Sequence, residues 1–378
     1  MSVVPGGAAD DLGVAAEGSR REPRSEEDTL PKRVGILTGG GDCPGLNAVI
    51  RAVVRASDVA GWDCLGVLEG WRGLVDGLFC DLGPAQVSEI LQRGGTIIRT
   101  SRTNPYKIEG GVEKLLQNAH ERELDALIAI GGEDTLGVAA RLYREHGFPI
   151  VGVPKTIDND LSGTDYTFGF DTAVSTATEA IDRLRTPAGS RHRVMVVEVM
   201  GRHAGWIALM SGIAGGADLV LIPERRMTVE AVCEELRRGH ASGRTSSMVV
   251  VSEGYELSYE SGESQLVGHD APTTDHFGHV LLGGVAEELG REIERRTGFE
   301  TQVVVLGHIQ RGGTPTPRDR VLATRFGLKA AELAHNGVFG QMVALRGDDI
   351  VVVSLDEATA ELKTVPPEWY AVAQAFFD

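Results

Sequence analysis

Short apolar runs alternate with longer stretches of helical spacing from Lys32 onward. The run 33–38 predicts a buried strand. Behind it, Leu46, Val49, Ile50, Val53 and Val54 fall at helical intervals. Further strand-like runs lie at 126–130, 150–153, 194–199, 219–222, 248–252 and 303–306. Helix-like stretches fill the gaps, for example 171–184 and 317–335. Strands alternating with helices predict a doubly wound, mostly parallel α/β protein. Residues 1–31 are rich in Gly, Ala, Glu and Arg without apolar period. They read as a disordered extension without a catalytic role. No internal repeat is visible at the 20–50-residue scale.

The length of 378 residues demands one large or two intimate α/β domains rather than a single small core. A net charge of −17 leaves no basic surplus for a phosphate backbone, which argues against nucleic acid. A small phosphorylated molecule needs only a few local Arg. No apolar run approaches the ~18 residues of a membrane span, and no signal-peptide core is visible. Cys43, Cys64, Cys80 and Cys233 lack metal-type spacing and read as reduced, cytoplasmic thiols. Gly accounts for 49 residues, above the usual ~7%, and many of them sit where strands end. That placement predicts backbone approaching a ligand.

Two adjacent strand ends carry the most chemistry. After 126–130 comes Gly131-Gly132-Glu133-Asp134-Thr135; after 150–153 comes Pro154-Lys155-Thr156-Ile157-Asp158-Asn159-Asp160. Carboxylates at the carboxyl ends of parallel strands occupy the usual ligand crevice. Glu133 beside paired Gly suits a Mg²⁺ bridging phosphate oxygens, or else a cap on the following helix. Asp134 adds a second carboxylate, which restricts how long a polyphosphate fits. Asp158 suits a general base, with Asp160 in support. Lys155 offers positive charge to a transferring phosphoryl group, and Thr156 a hydrogen bond. The alternative is a plain Asp-Asn-Asp turn.

Two further groups fit the same chemistry. Thr38-Gly39-Gly40-Gly41-Asp42-Cys43-Pro44-Gly45 lets backbone and a helix start approach an anion. It is neither a Walker A loop nor a dinucleotide fingerprint. Cationic residues mark other strand ends: Arg193, Met200-Gly201-Arg202-His203, and Gly307-His308-Ile309-Gln310-Arg311-Gly312-Gly313. Together they predict a sugar-phosphate pocket. Glu253, after 248–252, suits a sugar hydroxyl. Cys43 lies at a helix start, which lowers thiol pKa values, but a catalytic role is not expected of it.

These five blocks, in this order, resemble the signature set of the 6-phosphofructokinase family, from about Lys32 to the C-terminus. Gly-rich blocks alone also occur in NAD and diacylglycerol kinases, but the 307–311 block speaks against those. The resemblance implies two intimately associated, doubly wound domains and phosphorylation of fructose 6-phosphate at its 1-hydroxyl. Residues 32–169, with part of 310–360, would bind the phosphoryl donor. Residues 170–309, with 361–378, would bind fructose 6-phosphate.

Position by position, the resemblance implies that Gly40, Gly41, Arg102 and Lys107 serve the donor and that Glu133 holds Mg²⁺. Asp158 is the base. Thr156, Ile157, Met200, Gly201, Arg202, Glu253, His308 and Arg311 serve the sugar phosphate. Arg193 would reach in from a neighbouring subunit of a dimer or tetramer with shared active sites. Relatives carry a second interfacial Arg where this chain has Gln302, so one phosphate contact is missing. ATP-using bacterial members typically have Gly at the positions of Asp134 and Lys155, although some ATP-using relatives also carry Lys at the second. The pair found here resembles the pyrophosphate-dependent branch, which works reversibly in glycolysis or gluconeogenesis. The alternatives are an ATP-dependent phosphofructokinase and a non-catalytic sugar-phosphate-binding subunit.

Overall fold

The computed structural model describes residues 32–189, 193–267 and 282–377. The expectations for residues 1–31 lie outside this range. Thirteen strands are present among the described residues. They are β1 (Arg33–Thr38), β2 (Asp63–Val67), β3 (Phe79–Leu82), β4 (Ala126–Gly131), β5 (Ile150–Pro154), β6 (Val194–Val199) and β7 (Leu219–Leu221). They continue with β8 (Ser247–Ser252), β9 (Glu256–Ser258), β10 (Ser264–Leu266), β11 (Thr301–Val305), β12 (Gln341–Arg346) and β13 (Asp349–Ser354).

They form two main sheets and a small hairpin. The larger sheet runs β13-β12-β5-β4-β1-β2-β3. Its five inner strands are mutually parallel, and the antiparallel edge strands β3 and β13 close its two sides. The smaller sheet, β11-β6-β8-β7, is parallel throughout. Strands β1, β4, β5, β6 and β8 read as continuous apolar runs because helices cover both faces.

The helix Leu46–Ala60 buries all five residues whose spacing predicts it. Each fully buried Leu, Ile or Val contributes roughly 1.5–3 kcal/mol. The helix packs against Pro317–His335. At that crossing a Cβ on Gly327 would sit 2.8 Å from the Val49 carbonyl, so the approach requires Gly. The strand predicted at 303–306 begins two residues earlier and ends one earlier, because Leu306 turns away to start the next bend. Strands β12 and β13 escaped the sequence reading. A turn at Gly347 and Asp348 interrupts their apolar run, and β12 pairs with β5, distant in sequence.

Two helix starts are locked together beneath the sheets. The Thr316 hydroxyl accepts from the Asp319 amide at 3.2 Å and donates to Asp171 at 2.6 Å. Asp319 in turn accepts from the Thr172 amide at 2.8 Å and its hydroxyl at 2.5 Å. Asp319 is 1% exposed, and burial pushes its carboxyl up to about 6. The protonated form therefore favours the fold; that contribution is complete below the unfolded value near 3.9 and is lost as pH rises through about 6. The shift corresponds to about 2–3 kcal/mol. We expect Asp319→Asn, which cannot ionise, to gain stability relative to wild type by roughly that amount between pH 3.5 and pH 8. Urea denaturation at both values checks it; a stability difference independent of pH would refute the assignment.

Candidate active site

Six parallel strands deliver their carboxyl ends to one cleft of about 210 Å³. From the larger sheet come Gly40 and Gly41 after β1, Gly132 to Thr135 after β4, and Lys155, Thr156, Asp158 and Asp160 after β5. From the smaller sheet come Met200, Arg202 and His203 after β6, Glu253 after β8, and His308 and Arg311 after β11. Arg102 and Leu282 complete the lining. Gly41 and Arg311, 270 positions apart in sequence, thus face one another across a few ångströms.

The wall after β4 depends on Thr135. Its side chain fills the space that a Cβ on Gly39 or Gly131 would occupy, so the ends of β1 and β4 close over it. Glu133 and Asp134 stand in the first turn of the helix Glu133–His146, where the helix dipole favours carboxylates.

Lys155 is 4% exposed, and its ammonium donates to the Gly41 carbonyl at 2.9 Å. Burial lowers its pKa, while the carboxylates nearby oppose that shift. The ammonium sits against Gly40, whose φ of 81° and missing Cβ leave it room. Arg311 lies over Gly41 from the other sheet.

The acidic loop is held by its own residues. The Thr156 hydroxyl accepts from the Asp158 amide at 3.0 Å. Asn159 is in the left-handed region, with φ 52°. Its amide group accepts from the Thr167 N–H at 3.0 Å and donates to the Asp165 carbonyl at 3.3 Å. Asp158 presents one buried oxygen, Oδ1, that no group of the described structure satisfies. Burial, and then the charge of Asp158, push the Asp160 carboxyl up to about 7. Burial likewise lifts Glu253 to about 7, with Asp158 adding to the shift and Arg311 and Arg202 opposing it. Carboxyls raised this far by burial in a cleft suit acid–base chemistry.

Five of the residues singled out in the sequence do not line this cleft. Ile157 is fully buried beneath it. Gly201, with φ 132°, acts through its carbonyl, which accepts from Ser252 Oγ at 2.5 Å and from the Gly254 amide at 3.1 Å. Lys107 ends the short 3₁₀ turn Pro105–Lys107. Arg193 precedes β6 and Gln302 lies early in β11, both at the amino end of the smaller sheet, opposite the cleft. Arg193 pairs there with Glu300 at 2.5 Å. Cys43 is buried, its thiol pushed well up by burial and its Sγ 3.2 Å from the Phe168 carbonyl, so it is inert.

The sequence reading did not single out Gly132, Thr135, His203 and Leu282 as site residues. Gly132, Thr135 and His203 stand inside the quoted strand-end blocks, although no role was read for them there. Leu282 adjoins no motif and is placed only by tertiary structure.

Strand-end glycines, a buried cation and carboxylates clustered in one cleft define a phosphotransferase of the parallel α/β class. The sequence profile of the family described as phosphofructokinase matches residues 33–334. The chain belongs to that family. It is 61% identical, over 91% of its length and 99% of the relative's, to a pyrophosphate--fructose 6-phosphate 1-phosphotransferase of Amycolatopsis mediterranei. It is 50% identical, over 90% of its length and 99% of the relative's, to ATP-dependent 6-phosphofructokinase 3 of Streptomyces coelicolor. Among solved structures it is similar to phosphofructokinase from Saccharomyces cerevisiae, with a TM-score of 0.73 and 31% identity. That match covers 91% of this chain and 46% of the yeast chain, so this chain spans less than half the length of that relative.

With Asp160 and Glu253 both pushed up to about 7 and their protonated forms keeping charge off the cleft, we expect kcat/KM to fall along an alkaline limb centred near that value. Asp160→Asn should make the limb shallower, since one ionisation is removed. A wild-type profile that is flat from pH 6 to pH 8 would contradict the assignment.

Proposed function

We propose that this phosphofructokinase transfers a phosphoryl group reversibly from pyrophosphate to the 1-hydroxyl of fructose 6-phosphate, giving fructose 1,6-bisphosphate and phosphate. The observation that carries this reading is Asp134 in the lining of the cleft that also holds the buried ammonium of Lys155. A compact donor with concentrated charge benefits from Lys155, whereas a longer nucleotide must bring a further phosphate past Asp134. The 61% identity to a relative named for pyrophosphate supports the same donor. The 50% identity to a relative named for ATP is the observation that favours the second reading, an ATP-dependent enzyme.

In the proposed mechanism the sugar 1-hydroxyl gives its proton to Asp158, whose Oδ1 is an unsatisfied buried acceptor. The hydroxyl oxygen attacks the near phosphorus of pyrophosphate, and phosphate leaves. Asp160, its proton held near neutral pH, keeps charge off the loop while Asp158 works. Lys155 and Arg311, from opposite sheets, balance charge on the transferring group. Gly40, Gly41, Arg102 and Lys107 serve the donor; Thr156, Met200, Arg202, Glu253 and His308 serve the sugar phosphate. The larger sheet would thus be the donor half and the smaller one the sugar half.

The oxygen donors Glu133, Asp134, Asp158 and Asp160 suit a hard cation. Among the described residues no three such groups converge on one metal position, so one or two carboxylates would hold Mg²⁺, with Glu133 the first of them. When bound, Mg²⁺ would neutralise phosphate charge. A second copy of the chain would bring Arg193 to the cleft, because within one chain it faces the other way. Gln302 then leaves one phosphate contact unmade.

The test compares kcat/KM for pyrophosphate and ATP with fructose 6-phosphate and Mg²⁺. Pyrophosphate should be the efficient donor; an ATP value equal or higher would overturn the reading. Asp134→Gly should raise the ratio of ATP to pyrophosphate efficiency, and an unchanged ratio would remove Asp134 as the gate. Separately, Asp158→Ser should cut kcat by roughly 10²–10⁴-fold with little change in sugar-phosphate binding. Turnover surviving within a few-fold would place the base elsewhere.

A further inference from the structure

A strap near the C-terminus crosses between the two walls of the cleft, and no motif of the sequence marks it. It comprises residues 361–365 and belongs to neither main sheet. On one side it pairs antiparallel with the acidic loop: Leu161 bridges Leu362, the Lys363 amide donates to the Asp160 carbonyl at 2.8 Å, and Ser162 Oγ donates to the Glu361 carbonyl at 2.8 Å. On the other side Trp206 Nε1, at the start of the helix after β6, donates to the Lys363 carbonyl at 3.0 Å. The Val365 amide donates to Glu224 at 2.9 Å, and the same carboxylate accepts from the Gly205 amide at 3.0 Å.

Lys363 is the anchor of this strap. Its ammonium donates to the Thr164 and Asp165 carbonyls, each at 2.9 Å, and lies 5.6 Å from the centre of the Trp206 ring. The Asp165 carbonyl is also the acceptor for the Asn159 amide group. Asn159 sits between Asp158 and Asp160 in a left-handed conformation that costs about 1–3 kcal/mol unless its surroundings hold it. The contacts therefore run without a gap from the Lys363 ammonium to the pair of carboxylates. Half-buried as it is, the ammonium has lost much of its hydration, and two carbonyls replace it.

We propose that Lys363 is a positioning residue: it fixes the loop that carries Asp158 and Asp160 and ties that loop to the opposite wall of the cleft. The inference rests on Asp158 and Asp160 forming the acid–base pair of the proposed reaction. Lys363 itself does not line the cleft, so it acts through the loop and not on the substrate.

The experiment uses the full-length chain with Lys363→Met, which keeps the apolar stem and removes the cation. Both variant and wild type are assayed with whichever donor wild type uses faster, so an error over the donor shows in wild type alone. An error over the acid–base pair shows in Asp158→Ser alone. We expect kcat to fall about 10- to 100-fold while KM for fructose 6-phosphate stays within about threefold. Peptides covering 158–167 should also exchange amide hydrogens faster than in wild type. A kcat within twofold of wild type, or a loss confined to KM or to thermal stability, overturns the proposal. Should Lys363→Met fail to fold, Trp206→Phe removes a single strap hydrogen bond and keeps the apolar bulk. Its kcat should drop about three- to tenfold at constant KM, and an unchanged kcat overturns the proposal equally.

Discussion

A parallel strand cannot turn straight into its neighbour; it must cross over through a longer connection, and every such crossover in one sheet leaves from the carboxyl end of its strand. This constraint places the carboxyl ends of β1, β4 and β5 together and does the same for β6, β8 and β11. Because the two sets of ends face one another, six short loops make one cleft. The glycines at these ends are the local consequence. Gly39 and Gly131 yield their Cβ space to Thr135, and Gly40 yields its own to the ammonium of Lys155.

Charge in the cleft follows from burial more than from pairing. Five carboxylates share it with Arg102, with Arg202 and Arg311 at the smaller sheet, and with one buried Lys at the larger. Burial leads the shifts of Asp160 and Glu253, and only then do neighbouring charges act. A chain carrying −17 overall thus presents a cleft in which not every acid is ionised at neutral pH. That suits an anionic donor better than the formal charge suggests, and Asp158 keeps an open acceptor there.

Rigidity away from the chemistry has the same economy. The lock of Thr316, Asp319, Thr172 and Asp171 joins two helix starts with four short hydrogen bonds. The strap at 361–365 joins the two cleft walls with backbone hydrogen bonds and one ammonium. In each case hydrogen bonds to neighbouring groups offset part of the cost of taking a polar group out of water.

Much of this was legible from residues alone. Apolar runs of four to six, followed by helical spacing, determine β1, β4, β5, β6 and β8, because a strand covered on both faces needs no polar positions. The blocks at strand ends likewise determine the acid loop, Lys155 and the cationic wall, since each motif is local. What tertiary structure alone decided is whatever depends on contacts between distant positions. Strand β12 gains its place from β5, and Leu282 enters the cleft without a motif. Lys363 reaches Asp165 across 198 residues. Arg193 and Gln302 stand at the amino ends of their strands, away from the cleft of their own chain, a direction that the sequence order of strands does not encode. Periodicity reports which face of an element is buried; which element buries it is settled only when the whole chain has packed.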